Sequence, residues 1–281
     1  MITPANISAT LPNIIQEVEG EKSLYEKLQP YLEEAERWAR NTFTGETVWQ
    51  LIEQRSDSDT TKQVLQQVII HDAFARAIPN LDVILTPNGF GIVSNTNIAP
   101  ASKERVDRLI DSILDNRDDD IHQLLVELPK VEGWTVTSQG EYFTATLFPT
   151  LSITKILPRP DKYKTRWDYY QFLHEKMVVV EKALADKYVS PELISALRIE
   201  HVNGAAAYLR NNLINSLKAV EVMLIKNPEE KQEVCHQELT MIVDKIRKYP
   251  AVFPEWHSSA TAQLYDPPIF ENKKKSNGYW F

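Results

Sequence analysis

Residues 80 to 105 read Asn-Leu-Asp-Val-Ile-Leu-Thr-Pro-Asn-Gly-Phe-Gly-Ile-Val-Ser-Asn-Thr-Asn-Ile-Ala-Pro-Ala-Ser-Lys-Glu-Arg, and they interrupt a chain that is otherwise patterned as helices. The segment Thr86-Pro87-Asn88-Gly89 is typical of a tight turn, because proline presets its own φ, asparagine tolerates unusual backbone angles and glycine accepts left-handed ones. β-forming apolar residues flank this turn, at positions 83 to 85 and 90 to 93. The pattern predicts a β-hairpin over residues 82 to 94.

Apolar residues recur every three or four positions before the hairpin, as in helices with one buried face. The pattern predicts one helix at residues 21 to 42 and another at 60 to 78. Pro30 is expected either to kink the first helix or to begin it. Pro79 is expected to end the second.

The chain after the hairpin returns to helical patterning. Ser102 is the predicted N-cap of a helix that breaks at residues 116 to 120. Residues 134 to 137 and 142 to 148 alternate as strands do, which predicts a second hairpin. Beyond residue 165, three apolar stripes predict long helices, and Ser190-Pro191 is a predicted N-cap and first-turn proline.

These elements predict a mainly α-helical protein of one or more helical bundles, with one or two inserted β-hairpins. The predicted division lies near residues 150 to 160. The expected parts are an extended lead-in at 1 to 20, a helical domain with a projecting hairpin at 21 to 150, a second helical subdomain at 151 to 250, and an extended tail at 251 to 281.

Composition excludes several classes of protein. The formal charge of -8 argues against a dedicated nucleic-acid binder, which needs clustered Lys and Arg. The chain has 8 glycines and neither of the common phosphate-binding glycine motifs. It has no apolar run of the ~18 residues that a membrane span requires.

A single cysteine, Cys235, suits a reducing compartment. The expected location is the cytoplasm of a bacterial host or a virus particle.

Two groups of residues are candidate metal ligands. Carboxylates favour hard divalent cations, and four of them lie close together in sequence with one histidine: Asp115, Asp118, Asp119, Asp120 and His122. Their spacing lacks the alternating pattern of a calcium loop, and an acidic helix N-terminus explains them equally well. Glu233 and His236 form half of a bundle di-iron motif, but no second copy occurs. No metal and no cofactor are predicted.

Nucleophilic catalysis has equally little support. No Gly-x-Ser-x-Gly segment is present. Cys235 lies on an apolar helical stripe, where cysteine is usually a small buried hydrophobe. His71 and Asp72 are either a buried hydrogen-bonded pair or part of a helix surface. The sequence predicts no catalytic residue.

The last three residues, Tyr279, Trp280 and Phe281, are a candidate contact site. Three adjacent large aromatics left in water would form an adhesive patch. They therefore either fold back onto their own subunit or dock into a neighbour as interface anchors.

The segment at residues 79 to 105 and the closing segment at 272 to 281 resemble an uncharacterised family encoded in Bacteroides genomes and prophages. The helices-hairpin-helix order more loosely resembles the head-tail connector (adaptor) proteins of tailed phages, which form a ring beneath the portal. The resemblance implies a structural role without catalytic residues. An acidic subunit would also suit a DNA channel, because like charge keeps DNA from adhering.

The function predicted is therefore structural: a non-enzymatic virion or prophage assembly component that contacts copies of itself and other assembly proteins. The predicted interaction arm has Pro87, Asn88, Gly89 and Phe90 at its tip, and the aromatic C-terminus is a second contact. Two alternatives stay open. One is a helical-bundle enzyme with a metal or small ligand; the other is an intracellular adaptor that binds a peptide at the hairpin edge.

Overall fold

The computed structural model describes residues 2–11, 22–81, 83–86, 89–92, 102–226 and 232–265. The chain separates into two compact units, Met1–Glu175 (unit 1) and Lys176–Phe281 (unit 2). The predicted mainly helical fold is confirmed. No helix in the described part of the chain is both long enough and apolar enough to cross a membrane.

The helices and strands follow one another in this order: α1 Pro4–Thr10, α2 Leu24–Ala39, α3 Gly45–Glu53, α4 Thr60–Leu81, β1 Val83–Thr86, β2 Gly89–Ile92, α5 Lys103–Glu127, α6 Ser138–Thr144, α7 Ile153–Ile156, α8 Arg166–Leu184, α9 Pro191–Val202, α10 Tyr208–Lys226, α11 Gln232–Lys248, α12 Pro254–His257 and α13 Ala260–Tyr265. Single π-helical turns follow α2 and α8, and 3₁₀ turns lie at Leu128–Lys130 and Trp134–Val136. The boundary between the units falls within α8.

Unit 1 is built around α4. This helix packs most extensively against α2 and α5, and residues on every side of it are buried. A helix that is apolar nearly all round is stable only when its neighbours enclose it. α2 begins with a capping box, in which the Ser23 hydroxyl accepts from the Glu26 N–H at 3.2 Å and the Glu26 carboxylate accepts from the Ser23 N–H at 2.9 Å.

Pro30 and Pro79 both lie inside helices, so Pro30 does not begin α2 and Pro79 does not end α4. Pro30 is an interior residue of α2, and Pro79 is followed by two more residues of α4. Each proline removes one backbone hydrogen bond, and tertiary packing of the flanking turns keeps the helix continuous at that position. The predicted break at residues 116 to 120 is also wrong, because α5 is continuous there.

The predicted second hairpin is wrong. Residues 134 to 136 form a 3₁₀ turn, and residues 138 to 144 form α6. Trp134 is fully buried and donates its indole N–H to the Phe43 carbonyl at 2.6 Å. Phe43 also stacks on Phe143 with ring centroids 5.9 Å apart. The alternating aromatics therefore fill a helical core and do not line a sheet.

Two segments that were expected to be extended contain helices. Residues 4 to 10 form α1, whose first residue is Pro4 and whose N-cap is Thr3. Residues 254 to 257 and 260 to 265 form α12 and α13. In each case a short helix with a buried side chain replaces the extended conformation that nearby prolines suggested.

Unit 2 consists of α9 to α13 with the end of α8. The predicted N-cap at Ser190 is confirmed, since its hydroxyl accepts from the Leu193 N–H at 3.2 Å. Trp256 is fully buried and donates to the Tyr188 carbonyl at 2.7 Å. Arg210 joins three helices, because its guanidinium reaches Glu200 at 2.7 Å and Glu255 at 3.0 Å.

Candidate functional site

Two short strands lie between α4 and α5 of unit 1. β1 and β2 pair antiparallel, with Val83 opposite Ile92, Ile84 opposite Gly91, Leu85 opposite Phe90 and Thr86 opposite Gly89. The two residues that connect the strands, Pro87 and Asn88, lie outside the described residues. So do Tyr279, Trp280 and Phe281 of the predicted C-terminal contact.

The register gives the hairpin two different faces. Successive residues of a strand alternate between faces, and directly opposite residues share a face. One face therefore holds four large apolar residues, Val83, Leu85, Phe90 and Ile92. We call it the apolar face. The opposite face holds Ile84, Thr86, Gly89 and Gly91.

The hairpin makes a two-stranded sheet, so among the described strands each has a partner on one side only. Apart from α4, whose end it follows directly, no described element makes an extensive contact with it. An isolated two-stranded hairpin is marginally stable in water, and usually a third strand or a packed surface supports it.

A charged network joins α4 and α5 below the hairpin. Asp72 of α4 accepts from Arg76 at 2.6 Å and from Arg117 of α5 at 2.9 Å. Arg117 also donates to Asp118 at 2.9 Å, and Asp118 accepts from the Trp167 backbone N–H at 3.0 Å. Burial raises the pKa of Asp118, while Arg117 and the Trp167 N–H act in the opposite direction. The network fixes α4 and α5 against each other.

A groove of about 370 Å³ lies beside this network. Its lining combines the apolar residues Ala75, Pro79, Ile110 and Leu114 with the charged residues Asp72, Arg76, Arg117, Lys164 and Asp168 and with Thr165. Because Asp72 is buried between two arginines, the acidic and basic groups of the lining largely neutralise one another. The groove has no single-sign field that would select a charged ligand.

The predicted acidic cluster does not converge on one point. Asp118 bonds Arg117, Asp119 bonds Arg166 at 3.0 Å, and Asp120 lies 2.7 Å from His71. In the described part of the chain, no group of three or more His, Cys, Asp and Glu side chains is arranged to hold a metal ion.

The other candidate groups of the sequence are His71 with Asp72, Cys235, and Glu233 with His236. His71 and Asp72 are both buried, but each bonds a partner on α5. Cys235 is 2% exposed, as expected of a small core residue. His236 is exposed, and the Glu233 side chain lies outside what the structure describes.

A second polar cluster, which the sequence did not reveal, lies inside unit 2. Glu181 and Glu221 are both 0% exposed. Arg198 bonds Glu181 at 2.8 Å, and Lys218 donates to His201 at 2.7 Å. Glu181 follows Met177 by four residues and Glu221 follows Leu217 by four, so both carboxyls stand on apolar stripes. A glutamate within an apolar stripe was the signal that could have revealed the cluster.

Residues 11–144 match the model of a family of unknown function, DUF6712. No curated protein and no solved structure matches the chain. The matched part contains the hairpin and both helices that carry it.

Proposed function

We propose that this protein is a non-enzymatic assembly subunit that contacts neighbouring copies of itself through the apolar face of the β1–β2 hairpin. The observation that carries the proposal is the register, which places four large apolar residues on one face of the hairpin. The resemblance to head-tail connectors of tailed phages favours the same role and suggests a ring within a virion or prophage particle.

Charge also favours the hairpin as the contact. Residues 83 to 102 contain no Asp, Glu, Lys, Arg or His, whereas the whole chain carries a net charge of -8. Identical acidic molecules repel one another, and the repulsion is weakest where neither surface carries charge. An uncharged arm is therefore a favourable place for such molecules to meet.

The size of the apolar face suggests a ring and not an isolated pair. Full burial of four large apolar side chains is worth about 6 to 12 kcal/mol, at roughly 1.5 to 3 kcal/mol each. Loss of translational and rotational freedom costs roughly 4 to 15 kcal/mol per association. One arm therefore gives only weak binding. In a closed ring each subunit makes two such contacts, because it gives one arm and receives another.

Point variants on opposite faces of β1 test the proposal. Leu85→Ser removes an apolar side chain from the apolar face, while Ile84→Ser makes a matched change on the other face. We expect Leu85→Ser and deletion of residues 86 to 91 to reduce self-association in analytical ultracentrifugation. Ile84→Ser is expected to retain it, and all three proteins are expected to keep the wild-type circular dichroism spectrum.

Two results would contradict the proposal. The first is global unfolding of the deletion variant, which would make the hairpin a part of the core. The second is equal association of all variants. Mass spectrometry of particles induced from the source organism tests the connector role separately, because absence of this chain from intact particles would exclude that role.

Among the described strands each has one edge without a strand partner, which supports a second candidate, an adaptor that binds an extended peptide by strand addition. Such binding depends on backbone hydrogen bonds. Peptide binding that survives Leu85→Ser would therefore favour the adaptor over self-assembly.

A further inference from the structure

Two carboxyl groups are buried side by side in unit 2. Glu181 of α8 and Glu221 of α10 are both 0% exposed. Arg198 of α9 donates twice to Oε2 of Glu181, at 2.9 Å from Nε and 2.8 Å from its terminal nitrogen. Neither Glu221 oxygen has a hydrogen-bond donor among the described residues. Its neighbour within hydrogen-bonding reach is the Glu181 carboxyl, which is another acceptor.

The charged groups that act most strongly on Glu221 come from three helices. They are Glu181 of α8, Arg198 of α9 and Lys218 of α10 itself. His201 of α9 accepts the hydrogen bond of Lys218. The helix α11 also packs against α10, and its described inner residues are uncharged: Cys235, Leu239, Ile242, Val243 and Ile246.

Two carboxylate oxygens attract each other only when a proton lies between them. Burial raises the pKa of Glu221 well above its ordinary value of 4.5, and the neighbouring Glu181 raises it further. Arg198 bonds Glu181 directly, and a bonded guanidinium stabilises the charged form of a carboxyl. Glu221 is therefore the member of the pair that carries the proton.

We propose that Glu221 and Glu181 share one proton and that this proton acts as a lock, holding α10 against α8 and α9 and releasing it as the pH rises. When the proton leaves, two buried carboxylates face each other, while Arg198 is bonded to Glu181 and Lys218 donates to His201. Repulsion then favours separation of α10 from Glu181. The lock is independent of the proposed hairpin contact.

The direction of the pH effect distinguishes this pair from its neighbours. Because Glu221 holds its proton more tightly in the folded state, its contribution to stability falls as the pH rises above about 4.5. The pKa of His201 is lowered to about 4 and that of Lys218 to about 8, first by burial in both cases. These two groups bind protons more tightly when unfolded, so their contributions grow with pH, between 4 and 6.5 for His201 and between 8 and 10.5 for Lys218.

The variant Glu221→Gln isolates the shared proton. The amide keeps the shape and still donates to Glu181, but it cannot ionise. We expect the melting temperature of the full chain to match that of the wild type near pH 5 and to exceed it increasingly towards about pH 8. In the wild type, but not in Glu221→Gln, peptides from α10 are expected to exchange their amide hydrogens faster at the higher pH. This comparison is made after correction for intrinsic exchange rates.

The matched control is Glu192→Gln, which removes the same charge from an exposed position on α9. It is expected to follow the wild-type pH profile. The proposal is overturned if Glu221→Gln also follows that profile, or if it melts lower than the wild type at pH 8.

Infrared spectroscopy of the wild type provides a second test, since the proposal requires a protonated-carboxyl band near neutral pH. Absence of that band in the folded protein would contradict the proposal even if the variant does not fold.

Discussion

Asp118 and Asp119 are adjacent in sequence, yet their surroundings differ completely. Asp118 is 0% exposed and bonds both Arg117 and the Trp167 N–H, whereas the side chain of Asp119 is 65% exposed and bonds Arg166. We expect Asp118→Asn to lower the free energy of unfolding by about 3 kcal/mol, because the buried Arg117 loses a charged partner. The amide must also direct its N–H₂ group towards either Arg117 or the Trp167 N–H, and all of these are donors.

The matched variant Asp119→Asn changes the same chemical group on the same helix. A surface ion pair contributes at most about 1 kcal/mol, so this variant is expected to remain close to the wild type. Urea unfolding of the full chain measures both. Equal losses in the two variants would show that the buried network does not stabilise unit 1 in the way its geometry indicates.

Residue types alone could not separate these two aspartates. The acidic run at residues 116 to 120 predicted a break in the helix because charged residues prefer solvent. The structure keeps the helix continuous because Asp118, Asp119 and Asp120 each find a different cationic or histidine partner. Arg166 and His71 are distant in sequence from the aspartates that they bond, and no local pattern identifies them.

α6 depends on a close approach that only glycine permits. A Cβ atom on Gly140 would lie 2.0 Å from the Trp134 carbonyl oxygen and 2.9 Å from the Thr135 Cα atom. Both are backbone atoms of the 3₁₀ turn, so no side chain can rotate away. We expect Gly140→Ala to lower the free energy of unfolding by about 3 kcal/mol, as severe overpacking does, and to change the fluorescence of Trp134.

Gly133→Ala is the control for this prediction. Gly133 has a φ of 78°, and no atom lies within 4 Å of the position that a Cβ atom would take there. Its replacement therefore introduces only left-handed backbone strain, worth about 1 to 2 kcal/mol, and Trp134 is expected to keep its native fluorescence. A larger loss for Gly133→Ala than for Gly140→Ala would contradict the close packing of α6 on the 3₁₀ turn.

Elements with strong local signals were predicted well, and elements decided by distant contacts were not. The long helices follow from their apolar periodicity, and the Ser190 N-cap follows from its residue type. The second hairpin failed because residues 134 to 148 carry aromatic and threonine side chains that suit a strand. Those aromatics pack instead on Phe43, about ninety positions earlier in the chain.

At the scale of the whole molecule, the proposed assembly has to overcome the repulsion between acidic copies. The net charge of -8 acts over a Debye length of about 10 Å at 0.1 M salt and about 3 Å at 1 M. Since residues 83 to 102 carry no charge, salt screens the repulsion without weakening the proposed contact. Self-association is therefore expected to strengthen as sodium chloride rises from about 0.1 to 1 M, and sedimentation velocity measures this directly.

An assembly held by ion pairs would show the opposite trend, because salt weakens attraction between exposed charges as well as repulsion. The variant lacking residues 86 to 91 separates a specific contact from general salting-out, which acts on any apolar surface. If the hairpin is the contact, the deletion variant stays monomeric across the whole salt range while the wild type associates. Association of both proteins at high salt would place the contact elsewhere, and dissociation of the wild type would show that charged surfaces hold the assembly together.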